Sequence, residues 1–376
     1  CDNLLENIVK GKWVVRNKTL EGEIDNVYKR YWLERGIQSK WTREDGKCGY
    51  DKYKCVCGYD KINGSTWPKV GSWCDRHGDE PCCDNYMDGA CRTANQDTCN
   101  CPKCIDTRKY VVAEAATWKS TGLCNWTNFI GDTACDTIEN SQFNKIQFVG
   151  DSFMRNMFIG LMMLLSNDPN QGAWSIYTTA EQKERCHGVE FFFWDNCRGI
   201  IADVNQLPHY TKLCRYRTPK FSLSIEEEHR IKESGKLLGL VRNQLGKSGT
   251  LFVIGVGLHM GLNPTLTIES YLSPAVEVIE QHYSNSNATK WPKLVFVHPM
   301  PANLLKPTQN ARSQGNDILN EFCAELNKYC KEHGIHVMDF RKVAQFTQSF
   351  DGSHYGLSVN LMKNQILLNF ISSFRR

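Results

Sequence analysis

"FVGDSFMRN", residues 148–156, lies between two apolar stretches. Ile146, Phe148 and Val149 lead into it, and the run from Met157 to Leu165 follows. The first stretch is short and suits a strand; the second is long enough for a helix. Gly150 permits a sharp turn between them. Two readings of the turn are open. Asp151 or Ser152 caps the helix, or Ser152 is a nucleophile set beside the free N–H groups of the first helical turn, where an oxyanion would be held. The rest of the chain has to decide.

Further apolar runs of the same kind follow. Strand candidates are 146–149 (IQFV), 191–194 (FFFW), 251–255 (LFVIG), 294–298 (LVFVH) and 335–339 (IHVMD). Each suits a strand covered on both faces. Helix candidates fall at about 153–165, 226–245, 269–284, 313–331 and 357–374. This alternation predicts an α/β fold: a parallel sheet with helices on both faces. Ligands of such sheets sit beyond the carboxyl ends of the strands. Ser152 is expected there.

A serine nucleophile needs a base, and the base needs an orienting group. Of the ten histidines, His354 stands out, in "FDGSHYG" (350–356). It follows the last strand candidate and precedes the last helix, again on the carboxyl side. Asp351, three residues earlier, can reach Nδ1–H and leave Nε2 for the serine. The plain alternative is an Asp-Gly turn.

Composition sets the class. The chain has 376 residues, 41% hydrophobic and 23% charged, with net charge +4. That permits one large decorated domain or two. Lys and Arg are spread along it, which gives no case for nucleic acid. Eighteen cysteines, 13 of them before residue 136, argue for disulfides and an oxidising compartment. Four Asn-x-Ser/Thr sequons, at Asn17, Asn63, Asn125 and Asn287, point the same way. No run of 18 apolar residues is present to cross a bilayer. The chain opens at Cys1 without a signal peptide. The expectation is a mature or trimmed form, from which an N-terminal membrane anchor could have been removed.

Three zones follow from this. Residues 1–45 are mixed and Trp-rich, and are expected to pack on the catalytic domain. Residues 46–104 hold ten cysteines and little hydrophobic periodicity, so bridges must hold them. Cys99, Cys101 and Cys104 have a spacing that also suits zinc, but disulfides fit the compartment better, and no metal is expected. Trp67, Trp73 and Tyr86 would make either a sugar platform or a plain stapled lobe. Residues 105–376 form the expected catalytic domain.

Taken together, Gly150-Asp151-Ser152 and Asp351-x-x-His354 resemble the SGNH/GDSL hydrolase superfamily. The longer block Gly-Asp-Ser-Phe-Met-Arg155-Asn156 resembles its PC-esterase branch, the trichome birefringence-like and neurexophilin-PC-esterase-like proteins. Cys1-Asp2 with Gly11-Lys12-Trp13-Val14, and Cys124-Asn125-Trp126 through "FNKIQFVGDS", are similar to the plant members. The insert at 46–104 departs from them and is closer to animal members. The resemblance implies a three-layer SGNH-like sheet and serine acyl chemistry on carbohydrate. Ser152 would be the nucleophile, His354 the base and Asp351 the orienter.

The resemblance also implies an oxyanion hole of a serine N–H, a glycine N–H and an asparagine amide. The family's Gly-x-Asn-Asp block is missing here; "IGVGLH" (254–259) stands in its place. Gly257 becomes the candidate glycine donor and Asn156 the candidate amide, while His259 would line the acceptor site. Arg155 either binds an acidic sugar or acyl donor, or pairs with a carboxylate. In "HPMPANLLKP" (298–307), His298 and Asn303 are substrate contacts or plain loop residues.

The expected function is a glycan O-acyltransferase, O-acetyl above all, with a carbohydrate acetylesterase or a non-catalytic extracellular glycan-binding or structural glycoprotein as alternatives. The expected partner is a carbohydrate or glycoprotein substrate, with no nucleic acid and no membrane contact by this chain. No cofactor is expected beyond an acyl donor as co-substrate. The expected location is secreted or Golgi-lumenal.

Overall fold

The structure is a computed structural model. It describes residues 3–16, 18–34, 105–193, 213–216, 218–303 and 313–375. Between these it describes Cys48, Cys74, 78–83, 90–93, Cys99, Cys197, 200–201, Lys306 and Asn310. Asn17, Asn63, Trp67, Trp73, Tyr86, Cys101 and Cys104 lie outside the described residues.

Five parallel strands form the central sheet: β1 (Lys145–Gly150), β2 (Ser222–Glu227), β3 (Thr250–Gly255), β4 (Lys293–Val297) and β5 (His336–Met338). Their spatial order is β5-β4-β3-β1-β2. Every pairing is parallel. All six residues of β3, and five of the six in β1, are buried. Strands buried on both faces need continuous apolar sequence, which is why these two read as unbroken runs. Connections from β1 lead to opposite sides, to β2 and then to β3, so the strand order switches between β1 and β3. In open α/β sheets that switch point is where a crevice opens.

Helices α1 (Lys18–Glu34), α2 (Asp132–Glu139), α3 (Ser152–Ser166), α4 (Gly235–Arg242), α5 (Ser273–Tyr283), α6 (Asn316–Glu332) and α7 (Leu357–Ser372) surround the sheet. α3 packs against α2 and α7, while α4 packs against α5. α7 is buried on nearly every side and carries buried amides. Gln365 exchanges two hydrogen bonds with the backbone of Phe129, and Asn369 does the same with Thr127. The amides thus pair the extended segment 127–129 as a neighbouring strand would, which satisfies polar groups that burial would otherwise strand.

Two expectations fail. Of the strand expected over 191–194, residues 191–193 are described and form none: 188–192 is a 3₁₀ helix. A short apolar run lacks a period that separates strand from buried turn, and here Phe193 is needed against Tyr28, Tyr31 and Phe350. The helix expected over 226–245 is three elements, the end of β2, a 3₁₀ turn at Ile231–Glu233 and then α4. β2, "SLSIEE", is a sheet edge with one fully buried residue, and so lacks the apolar run that marks the inner strands. The other expected strands and helices form, with ends shifted by a few residues.

The N-terminal residues pack on this unit. Gly11–Val15 pairs antiparallel with Ala116–Ser120, and Trp13 meets Trp118 edge-on. Trp13 Nε1 donates to Val343 O at 2.7 Å. Disulfides join Cys48–Cys83, Cys74–Cys91, Cys82–Cys99, Cys135–Cys214 and Cys186–Cys197. Cys99 is therefore bridged and not available for zinc. Cys323 and Cys330 are buried thiols. Asn125 and Asn287 are both exposed. Among the described residues no helix is long and apolar enough to cross a membrane.

Candidate active site

The turn at 150–152 is built by a close approach. Gly150 has φ +149°, and a Cβ there would stand 2.0 Å from Gly255 O. Only glycine allows β1 and β3 to converge so tightly at the switch point. Asp151 N–H then donates to Gly255 O at 3.3 Å. The capping reading of the turn holds for Asp151. Asp151 is the helix cap, accepting from Phe153 N–H at 2.9 Å. Ser152 begins the helix with its hydroxyl free of capping.

That hydroxyl faces His354: Ser152 Oγ and His354 Nε2 are 2.6 Å apart. His354 Nδ1 is 2.6 Å from Asp351 Oδ2. The other carboxylate oxygen accepts from the backbone N–H of Ser353 at 2.8 Å and of His354 at 2.7 Å. An acceptor-only carboxylate beside Nδ1 assigns the ring proton to that nitrogen and leaves the Nε2 lone pair to the serine. Burial would raise the Asp351 carboxyl, but the charge and hydrogen bonds of His354, with the two N–H donors, outweigh it and hold it at about 2. Ser152 is buried, at 6% exposed.

The loop that carries Asp351 and His354 is braced from outside. Gly352 has φ +83°, and its N–H donates to Ser349 Oγ. Ser349 in turn donates to His354 O at 2.6 Å. Asn303 N–H donates to Gly352 O, and its amide donates to Thr347 O at 2.9 Å. Phe350 stacks on the His354 ring with planes 17° apart. Asn303 is thus a buried brace of this loop. His298 is also buried, and desolvation pushes its pKa down to about 4; neither the substrate-contact nor the surface-loop expectation fits it.

The remaining candidates fall around the crevice. Gly257 follows β3 with φ +126°, and a Cβ would meet the Phe322 ring at 2.6 Å. Its N–H has no acceptor among the described residues. Gly150 and Gly255 are register partners, so Ser152 and Gly257 stand two residues beyond the same rung. Asn156 is buried one turn along α3, about 6 Å from Ser152 by helical rise. Arg155 pairs with Glu227 at 2.6 Å, the carboxylate alternative expected of it.

His259 is exposed at the rim and meets His229 edge-on at 5.0 Å. Desolvation lowers its pKa, against the attraction of Asp151. His229 carried no pattern in the sequence, yet it stands here, 3.2 Å from Glu227. Two lysines also had no signal. Lys306 is 2% exposed and donates to Ser353 Oγ at 2.6 Å; burial lowers its pKa to about 8 against the pull of Asp351 and Asp151. Lys363 is buried under the first turn of α3.

The chain matches no protein-family model and no curated protein. Solved structures resemble it distantly. A carbohydrate acetylesterase from Sinorhizobium meliloti aligns at 12% identity and TM-score 0.36, over 61% of this chain and 99% of that one. A lipase/acylhydrolase from Enterococcus faecalis aligns at 11% identity and TM-score 0.32, over 62% of this chain and 98% of that one. Likeness at that level is too remote to speak to the reaction.

Proposed function

We propose that this protein is a serine acyl-transfer enzyme of SGNH type, with Ser152 as nucleophile, His354 as base and Asp351 as orienter. One observation carries the reading: an unbroken chain from Ser152 Oγ to His354 Nε2 and from Nδ1 to Asp351 Oδ2, each link 2.6 Å. It lies at the sheet's switch point, among helix N–H donors.

In the first half-reaction, Oγ attacks the acyl carbonyl carbon while its proton moves to Nε2. The N–H groups of Ser152 and Gly257, with the Asn156 amide as a third candidate, hold the negative oxygen. The tetrahedral intermediate collapses, the donor's oxygen leaves with the proton from Nε2, and the acyl group stays on Ser152. In the second half, an incoming hydroxyl gives its proton to Nε2 as its oxygen attacks the acyl carbon. Oγ then leaves and recovers that proton.

The incoming hydroxyl belongs to a glycan, and the acyl group is acetyl; this follows the sequence resemblance of Gly150 to Asn156. With water as the incoming group, the same steps make a carbohydrate acetylesterase. Four sequons and the disulfides support a secretory location.

The test is intact mass after brief incubation with an activated acetyl ester, on wild type and Ser152→Ala. The expected result is one acetyl adduct on wild type alone, discharged faster by glycan than by buffer. Discharge that glycan leaves unchanged makes the protein an esterase. Folded wild type that takes up no acetyl group overturns the reading.

A further inference from the structure

Lys363 lies in the middle of α7, 1% exposed. Burying an ammonium costs several kcal/mol before any partner is found, and a methionine would fill similar space without that cost. Burial lowers its pKa to about 7, so its hydrogen bonds rather than a fixed charge show what it does. Nζ donates to Asn360 Oδ1 at 3.1 Å and points to Phe153 O at 3.4 Å, the carbonyl next to Ser152. Asn360 is 2% exposed. Its amide donates to Tyr355 O at 2.8 Å and Gly356 O at 2.9 Å, the two residues after His354.

A continuous polar link therefore runs from the nucleophile turn through Lys363 and Asn360 to the base loop. Ser152 and His354 are 202 residues apart in sequence. α7 begins right after the base loop and packs along α3. It is the element able to hold both ends. The carboxyl facing the amine is Asp151, whose pKa burial raises and which itself faces His259, His354 and His229. The Phe340 ring lies 5.9 Å from Nζ.

We propose that Lys363, acting through Asn360, is a positioning residue that keeps Ser152 and His354 in register for acyl transfer. The proposal rests on the reading of Ser152 and His354 as nucleophile and base. Lys363 touches no substrate. It fixes the Phe153 carbonyl against the 355–356 carbonyls, and so the spacing of Oγ from Nε2. A misplacement of about 1 Å costs on the order of a hundredfold in rate.

The test uses the full chain as Lys363→Met, Asn360→Ala and the double variant, with acylation kinetics on an activated acetyl ester and thermal melting. Each single variant is expected to slow acylation about ten- to a hundredfold, with KM changed less than twofold. Lys363→Met is expected to melt close to wild type, because losing the desolvation cost of the amine offsets leaving Asn360 Oδ1 without this donor. The double variant is expected to be no slower than the slower single one, since both cut one link.

Three results overturn the proposal: variants that acylate at the wild-type rate, rate losses that merely follow a lowered melting point, or additive losses in the double. If Lys363→Met does not fold, Asn360→Ala carries the test; failure of both to fold assigns the pair to stability alone and also overturns it. Wild type that never acylates sinks the functional reading instead.

Discussion

Glu114 Oε1 accepts from the backbone N–H of Ser358 at 3.3 Å, capping α7 four residues beyond His354. Tyr28 of α1 donates to the other oxygen, also at 3.3 Å. A residue far from His354 in sequence thus anchors the helix that the 351–354 loop runs into. Burial raises the Glu114 pKa, against its hydrogen bonds. Glu114→Ala removes the cap and the bond from Tyr28, and is expected to destabilise by about 1–2 kcal/mol. Glu114→Gln keeps an acceptor and is expected to lose less. Melting curves of both variants decide.

His354→Ala is expected to abolish acylation of Ser152 by an activated ester. Asp351→Asn leaves the shape intact but no longer favours the proton on Nδ1, and a loss on the order of 10⁴ is expected. The same change alters acid stability. Asp351 titrates at about 2 in the fold against 3.8 unfolded. Its contribution is present above 3.8 and is lost as pH falls toward 2. Asp351→Asn should flatten that part of the stability profile, read by chemical denaturation at several pH values.

Glu228 follows β2, is 2% exposed, and titrates at about 7 because burial, and then Glu226, disfavour its charge. Its folded pKa is raised above the unfolded 4.5. The folded state therefore binds more protons between those values, and stability falls as pH rises from 4.5 to 7. Glu228→Gln should remove this slope and make the protein more stable than wild type at pH 8, by about 1–3 kcal/mol. A melt at pH 5 and pH 8 checks the sign. Equal shifts at both pH values would refute the assignment.

Gly257→Ala should cost both stability and chemistry. The backbone at φ +126° strains any side chain, and the new Cβ would press on Phe322 at 2.6 Å. A loss of about 1–3 kcal/mol is expected from the strain. Relief of the clash would move the Gly257 N–H, and acylation is expected to fall on the order of 10² to 10³. Melting and ester kinetics on one preparation separate the two effects. Normal acylation in a destabilised variant would exclude Gly257 as an oxyanion donor.

The sequence by itself determined the features that depend on local chain geometry. Strand, glycine and apolar helix in immediate succession put Ser152 at the end of β1, because each element is specified by its own period. Asp351 and His354 were legible because they meet inside one four-residue turn. The inner strands were legible because burial on both faces demands an apolar run. "SLSIEE" was missed because an edge strand has no such demand, and "FFFW" was misread because an apolar run records burial and not backbone shape.

What only the tertiary structure decided are contacts between distant segments. Nothing in "NLMKNQ" (360–365) marks Lys363 as buried, or aims it at a carbonyl 210 residues away. Nothing near Lys306 or Glu114 tells that they brace the base loop. A charged side chain reads as solvated until packing takes its water away. That desolvation, and the partner that offsets it, belong to the assembled sheet and helices and not to the residue.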